Sequence, residues 1–173
     1  MGLREATAEL HSKAEKMEFN QRMFRGELPK KEYLHYLIQQ ASIFQCIEEH
    51  KSADIGPDLA RLTKVFEDIV ELSKEVHDVF PTIQATTEYG IYLEGLKTKD
   101  LYPHIYLNYM ALMYGGQMMK SKVPGKGKMY DFDNVQESIA MIRGIQKDEW
   151  ANEVNKGFQY IINILDELQR NAG

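Results

Sequence analysis

The chain has a single cysteine, Cys46, in 173 residues. No intramolecular disulfide can form, and a thiolate cluster for zinc or iron–sulfur is excluded. It has no excess of positive charge: 21 Lys and Arg against 26 Asp and Glu give a formal net charge of −5. A nucleic-acid binder normally presents a basic face, so that class is disfavoured. No apolar run approaches the length needed to span a bilayer. The start, MGLREATAEL, lacks the apolar core of a signal peptide, and Ala6 breaks the N-myristoylation pattern. No glycine-rich nucleotide or flavin fingerprint occurs. These absences lead to the expectation of a cytoplasmic protein in a reducing compartment, with no membrane and no nucleic-acid partner. The 43% of hydrophobic residues suffices for one domain with one core, spanning 1–173.

What is present is helical periodicity. The five prolines, Pro29, Pro57, Pro81, Pro103 and Pro124, read as helix boundaries. A first helix is expected over about Leu3 to Phe24, ending near Gly26, with Leu3, Ala6, Leu10, Ala14 and Met17 on its apolar face. A second follows Pro29, with Tyr33, Leu37, Phe44 and Ile47 inward. A third region, DLARLTKVFEDIVELSKEVHDVF, repeats Leu62, Val65, Phe66, Ile69, Val70 and Leu72 at the same period. Further helices are expected over Pro81 to Leu96, about Tyr102 to Lys120, Val135 to Gln146 and Asp148 to Gln169. SKVPGKGKMYDFDN is the one clear loop. Strand alternation is absent, so the fold class is all-α.

Two stretches carry chemistry. In LREATAELHSKAE, Arg4, His11 and Glu15 cluster along the edge of the apolar face. Arg4 lies two turns before His11, roughly 10 Å along the axis, and Glu15 lies one turn beyond, within reach of a ring nitrogen. A satisfied histidine at a helix edge accounts for this pattern. So does an imidazole ligand to a flat, anionic, iron-bearing group such as haem. In HIYLNYMALMYGGQMMK, Gly115 and Gly116 each cost about 1 kcal/mol in a helix and need a reason. Close packing of a neighbouring helix is one reason, and approach of a cofactor over Ala111 and Gly115 is another. Met110, Met113, Met118 and Met119 fit as gap-filling core residues. Tyr106, more than two turns ahead of the glycines, is a donor for an acidic ligand group.

LREATAELHSKAE, YLNYMALMYGGQMMK and EVNKGFQYIINILDEL, in that order, resemble the haem oxygenase family, and the similarity runs from Leu3 to about Leu168. MYDFDN is similar to a loop of the cyanobacterial members. The resemblance implies a single-domain helical bundle holding haem b between the first helix and a kinked, glycine-bearing distal helix. It implies that His11 is the axial iron ligand, oriented by Glu15, with Thr7 and Ala14 beside it on the same helix. It implies that Arg4, Tyr106 and Arg143 hold the propionates, that Ala111, Leu112, Gly115 and Gly116 lie over the haem, and that Phe158 and Leu165 form an apolar wall. His11, Tyr106, Asn108 and Gly115 then count as catalytic. This sequence departs from the family pattern at Ala111 and Leu112, where glycine and aspartate are usual, at Asn108, where arginine is common, and at Ile139, where a lysine usually stands. No acidic residue occurs from His104 to Lys120.

The resemblance further implies a monooxygenase that cleaves haem to biliverdin, carbon monoxide and ferrous iron, using O2 and electrons from ferredoxin, with a bilin reductase possible downstream. Arg22, Arg25, Lys30 and Lys31, with Lys120, Lys122, Lys126 and Lys128, form a candidate docking surface for that donor, or ordinary solvated charge. Rival readings are a haem-binding or storage protein with little turnover and a thiaminase-like enzyme, which needs a nucleophilic cysteine, whereas Cys46 sits in the apolar run IFQCIEE. A di-iron bundle needs two Glu-x-x-His pairs, and Glu32 with His35 is the only one here. His35, His50, His77 and His104 read as surface or core residues. The sequence gives no oligomeric state.

Overall fold

A computed structural model describes residues 1–51 and 54–172. Among them the chain forms ten α-helices and no strand: α1 (Leu3–Ala6), α2 (Ala8–Lys16), α3 (Glu18–Phe24), α4 (Lys30–Glu48), α5 (Gly56–Leu59), α6 (Leu62–Leu72), α7 (Gln84–Glu94), α8 (Thr98–Lys120), α9 (Val135–Ile145) and α10 (Ala151–Arg170). Short 3-10 turns sit at Lys128–Tyr130 and Asp148–Trp150. The all-α reading therefore stands. α4 packs between α6 and α7, and α10 packs on α2, α3, α7 and α8. Tyr33, Leu37, Phe44 and Ile47 of α4 are all buried in the main core, as their spacing required.

The first expected helix is three pieces. Thr7 leaves helical geometry at φ −109°, and its hydroxyl donates to Leu3 O at 2.9 Å. Such a bond back to the residue four earlier competes with the helix and bends it. At Met17 the backbone turns extended (φ −59°, ψ 137°). The side-chain amides of Asn20 and Gln21 then donate to Ala14 O and Glu15 O, satisfying carbonyls at the end of α2. This break turns α3 onto α10 while leaving α2 free to hold His11.

The third helix is also shorter than its periodicity suggested, stopping at Leu72 instead of running on to Phe80. Gln39, fully buried on α4, explains the difference. Its amide accepts from Ile83 N at 3.0 Å and donates to Pro81 O at 3.0 Å, gripping the segment as open backbone. Phe66 and Val70, expected on the inner face, are exposed instead (48% and 62%). Pro103 is no boundary either: it lies inside α8, in its second turn. The missing N–H costs one hydrogen bond near the helix start, where few bonds have yet formed.

The loop after α8 is strapped down by buried charge. Asp68 of α6 accepts from Lys128 N and Met129 N, both at 2.9 Å. Arg61, 2% exposed, donates to Met129 O at 3.1 Å and Asp131 O at 2.6 Å, and its guanidinium lies 3.7 Å from the Phe132 ring centre. Glu48 of α4 accepts from Arg61 N and from the Tyr109 hydroxyl, both at 2.7 Å. Each partner satisfies the desolvation cost of another, so the group is stabilising only as a whole.

α10 packs tightly on α8 at Gly157. A β-carbon there would fall 2.5 Å from Leu107 Cδ2 and 3.0 Å from His104 Nδ1, both on buried side chains of α8. Gly157→Ala should therefore destabilise the fold by about 1–3 kcal/mol through overpacking. Chemical denaturation checks this, and an unchanged midpoint contradicts the crossing.

Candidate functional site

His11 stands on α2 with its side chain 57% exposed, and its Nε2 lies 2.9 Å from Glu15 Oε1. The ring stacks on Phe158 of α10, with centroids 5.4 Å apart and planes 18° apart. One nitrogen is thus held by a carboxylate, the ring is fixed by an aromatic face, and Nδ1 carries no partner among the described residues. Ala14 and Thr7 are buried beneath the same helix. A histidine merely satisfied at a helix edge would need no such support on two sides.

α2 and α8 both pack on α10. Leu3, Leu107, Trp150 and Val154 form a second, smaller core between α1, α8 and α10, with Tyr106 and Phe158 against it. Tyr106 meets Trp150 edge to face at 6.2 Å. Burial raises the Tyr106 hydroxyl above its usual range, while Arg143 and Arg4 act in the opposite sense. Their charges therefore reach it from α9 and α1. Arg143 also lies over the Tyr114 ring at 5.3 Å.

α8 runs unbroken through both glycines, and they differ. Gly116 is buried against the loop after α8, where a β-carbon would make ordinary contact with Tyr130 O at 3.5 Å. A β-carbon on Gly115 would meet only Met119 of its own helix, at 3.8 Å, which leaves the space above it open. Ala111 is exposed beside it, and Tyr114 and Met118 are 58% and 62% exposed. An open stripe of small and apolar residues suits a flat apolar ligand. Leu112 and Leu165 are buried in the main core. Asn108 is half-buried, its amide donating to His104 O at 2.8 Å and Tyr89 Oη at 3.1 Å.

A family model described as heme oxygenase matches residues 1–163. The chain belongs to the haem oxygenase family. Solved structures share the fold at low identity. Heme oxygenase-1 of the cyanobacterium Synechocystis sp. PCC6803, in complex with heme, superposes with a TM-score of 0.80 at 20% identity, covering 98% of this chain and 91% of that one. Heme oxygenase from Leptospira interrogans gives 0.79 at 22% identity, covering 96% and 100%. Heme oxygenase-2 of Synechocystis sp. PCC 6803, with heme and NO, gives 0.84 at 18% identity, covering 98% and 84%. No curated protein matches the chain.

A buried polar group escaped the sequence reading. His104 is fully buried, with Nδ1 2.7 Å from Tyr89 Oη and Nε2 3.0 Å from Glu153 Oε1. Tyr92 also donates to Glu153. The available signal was His104 itself, a titratable residue in the apolar half of a helix. Of the eight basic residues considered for docking, six are paired internally: Arg22 with Glu32, Arg25 with Glu18 and Glu27, Lys30 with Glu75, Lys31 with Asp78, Lys120 with Asp131 and Lys128 with Glu67.

The rival chemistries find little support in the side chains. Glu32 is bound by Arg22 and His35 stacks on Phe80, and no group of three or more His, Cys, Asp or Glu among the described residues is arranged to hold a metal. Cys46 lies 3.8 Å from Glu94 Oε1, and burial, with that carboxylate, pushes its thiol up to about 11. Only the thiolate is nucleophilic, so at neutral pH Cys46 should react with a disulfide reagent roughly 100-fold more slowly than an ordinary exposed cysteine. Stopped-flow thiol titration checks this, and rapid labelling at pH 7 reopens the cysteine-enzyme reading.

Proposed function

We propose that this protein is an active haem oxygenase, cleaving haem b to biliverdin, carbon monoxide and ferrous iron with O2 and ferredoxin as electron donor. The carrying observation is the half-exposed ring of His11, held by Glu15 on one side and stacked on Phe158 of α10 on the other. Haem, when bound, supplies the iron that activates dioxygen and is also the substrate consumed.

The chain's own groups do the holding and the aiming. His11, oriented by Glu15, would offer its second nitrogen to the haem iron, and Phe158 fixes the ring plane. Arg4 and Arg143 supply charge-assisted bonds to carboxylates and Tyr106 a hydroxyl donor. The bare stripe of Ala111 and Gly115 would let a flat ligand approach the α8 backbone. Leu112 adds no proton donor, so water beside Asn108 and the backbone must serve. For the electron donor, Lys122 and Lys126 remain without an ion pair among the described residues, and Lys122 lies against Gly26 at the end of α3. A cytoplasmic setting with a bilin reductase as consumer of the product follows from this activity.

Leu112 favours one second reading, a haem carrier with little turnover, because a buried apolar residue replaces the family's acid. Aerobic incubation of the haem-loaded protein with ferredoxin, its reductase and NADPH separates the two. The expected result is loss of the haem absorption band with a biliverdin isomer appearing on chromatography. His11→Ala should abolish that product, and an unchanged yield removes the assignment. Arg4→Ala and Arg143→Ala should each weaken haem binding about tenfold, or ~1.4 kcal/mol, in a spectral titration.

A further inference from the structure

α1 cannot hold itself in place. It has four residues, Leu3–Ala6, too few to persist as an isolated helix. The residue before it is Gly2, which offers no side-chain cap to the unpaired N–H groups of the first turn. Thr7 leaves helical geometry directly after Ala6, so α2 does not extend α1 backwards as one rod. Yet Leu3 is only 1% exposed, and its neighbour Arg4 supplies one of the charge-assisted bonds of the proposed function.

The missing cap comes from the far end of the chain. Leu3 N donates to Asp148 Oδ1 at 3.0 Å, across 145 positions. Asn155 of α10 holds the other end of α1, its amide donating to Ala6 O at 3.1 Å. Between these two ties Leu3 packs with Trp150 and Val154 in the smaller core. Asp148 opens the 3-10 turn Asp148–Trp150, and Trp150 meets Tyr106 edge to face. One short turn thus seats both α1 and Tyr106.

Asp148 does this without taking up the arginine beside it. Arg22, Arg25 and Arg170 pair with carboxylates and Arg61 donates to backbone carbonyls, whereas Arg4 and Arg143 have no carboxylate partner among the described residues. We infer that Asp148 is a positioning residue: by capping α1 at Leu3 N it holds Arg4 in place, still unpaired, for a carboxylate of the bound ligand. This rests on the reading of Arg4 as a group that holds a haem propionate. An arginine on a loose terminal segment would lose backbone as well as side-chain freedom on binding. The tie to Asp148 removes the backbone share of that cost before the ligand arrives.

The test compares the full chain as wild type, Asp148→Ala, Asp148→Asn and Arg4→Ala, titrated with haem and with haem dimethyl ester, whose propionates carry no charge. Asp148 is exposed, so its replacement leaves the core intact. Asp148→Ala should weaken haem binding about fivefold and leave the ester within about twofold. Asp148→Asn, which keeps an acceptor oxygen, should restore the affinity for haem. Added to Arg4→Ala, Asp148→Ala should change nothing further, because both act through the same guanidinium. In the haem-free protein, amide exchange followed by NMR should find Leu3 N–H protected in wild type and Asp148→Asn and unprotected in Asp148→Ala. Equal losses for haem and ester would make the role merely structural and overturn the inference. So would unchanged haem affinity in Asp148→Ala, or a gain, which would make Asp148 a competitor for Arg4; in each of these cases the proposed activity still stands. Failure of the wild type to bind haem would instead overturn the functional reading, and this inference with it.

Discussion

The crossing of α10 over α8 is the constraint on which the rest depends. Gly157 lets the two helices approach until Leu107 and His104 touch the α10 backbone. That contact puts Phe158 beneath His11 on one flank and Glu153 against His104 on the other. One bare position thus serves two groups of side chains: those that would hold a ligand through α2 and those buried between α7, α8 and α10. A bulkier residue would push α10 outward and loosen both together, because interiors at native packing density transmit displacement instead of absorbing it.

Buried polarity then decides what is rigid. Arg61, Glu48, Asp68 and Tyr109 pin the loop that follows α8, which lays Tyr130 against Gly116, whereas Gly115 meets only its own helix. On the opposite flank, Tyr89, His104, Glu153 and Tyr92 satisfy one another, with Tyr160 stacked 5.0 Å from Tyr89. Such networks are worth having only when complete, since each unmade bond in a low-dielectric interior costs more than a made one contributes. The stripe of α8 between these two braces is the face left to bind something.

Much of this was legible in the residues. The periodicity of α4, α8 and α10 gave the helices, and the buried Tyr33, Leu37, Phe44 and Ile47 followed from their spacing alone. Glu15 one turn after His11 was enough to foresee their contact, because i,i+4 neighbours on a helix meet regardless of what lies around them. The breaks at Thr7 and Met17 and the early end of α6 were not legible. A side-chain bond back to Leu3 caused the first, and the grip of Gln39 on residues more than forty positions away held the segment beyond α6 open. Exposure of Phe66 and Val70 belongs with these, since periodicity marks a stripe without saying whether a partner covers it.

The sequence by itself determined the helical class, the absence of disulfide and thiolate-cluster chemistry, and the local pair of His11 and Glu15. These depend on composition and on separations of a few residues, where helix geometry dictates the outcome. Only the tertiary structure decided that Phe158 stacks on His11 and that six of the eight basic side chains considered for docking are already paired. It also decided that Glu153 of α10 meets the buried His104 of α8 and Tyr92 of α7. Those relations join residues from separate elements through short-range contacts, and only packing sets such distances.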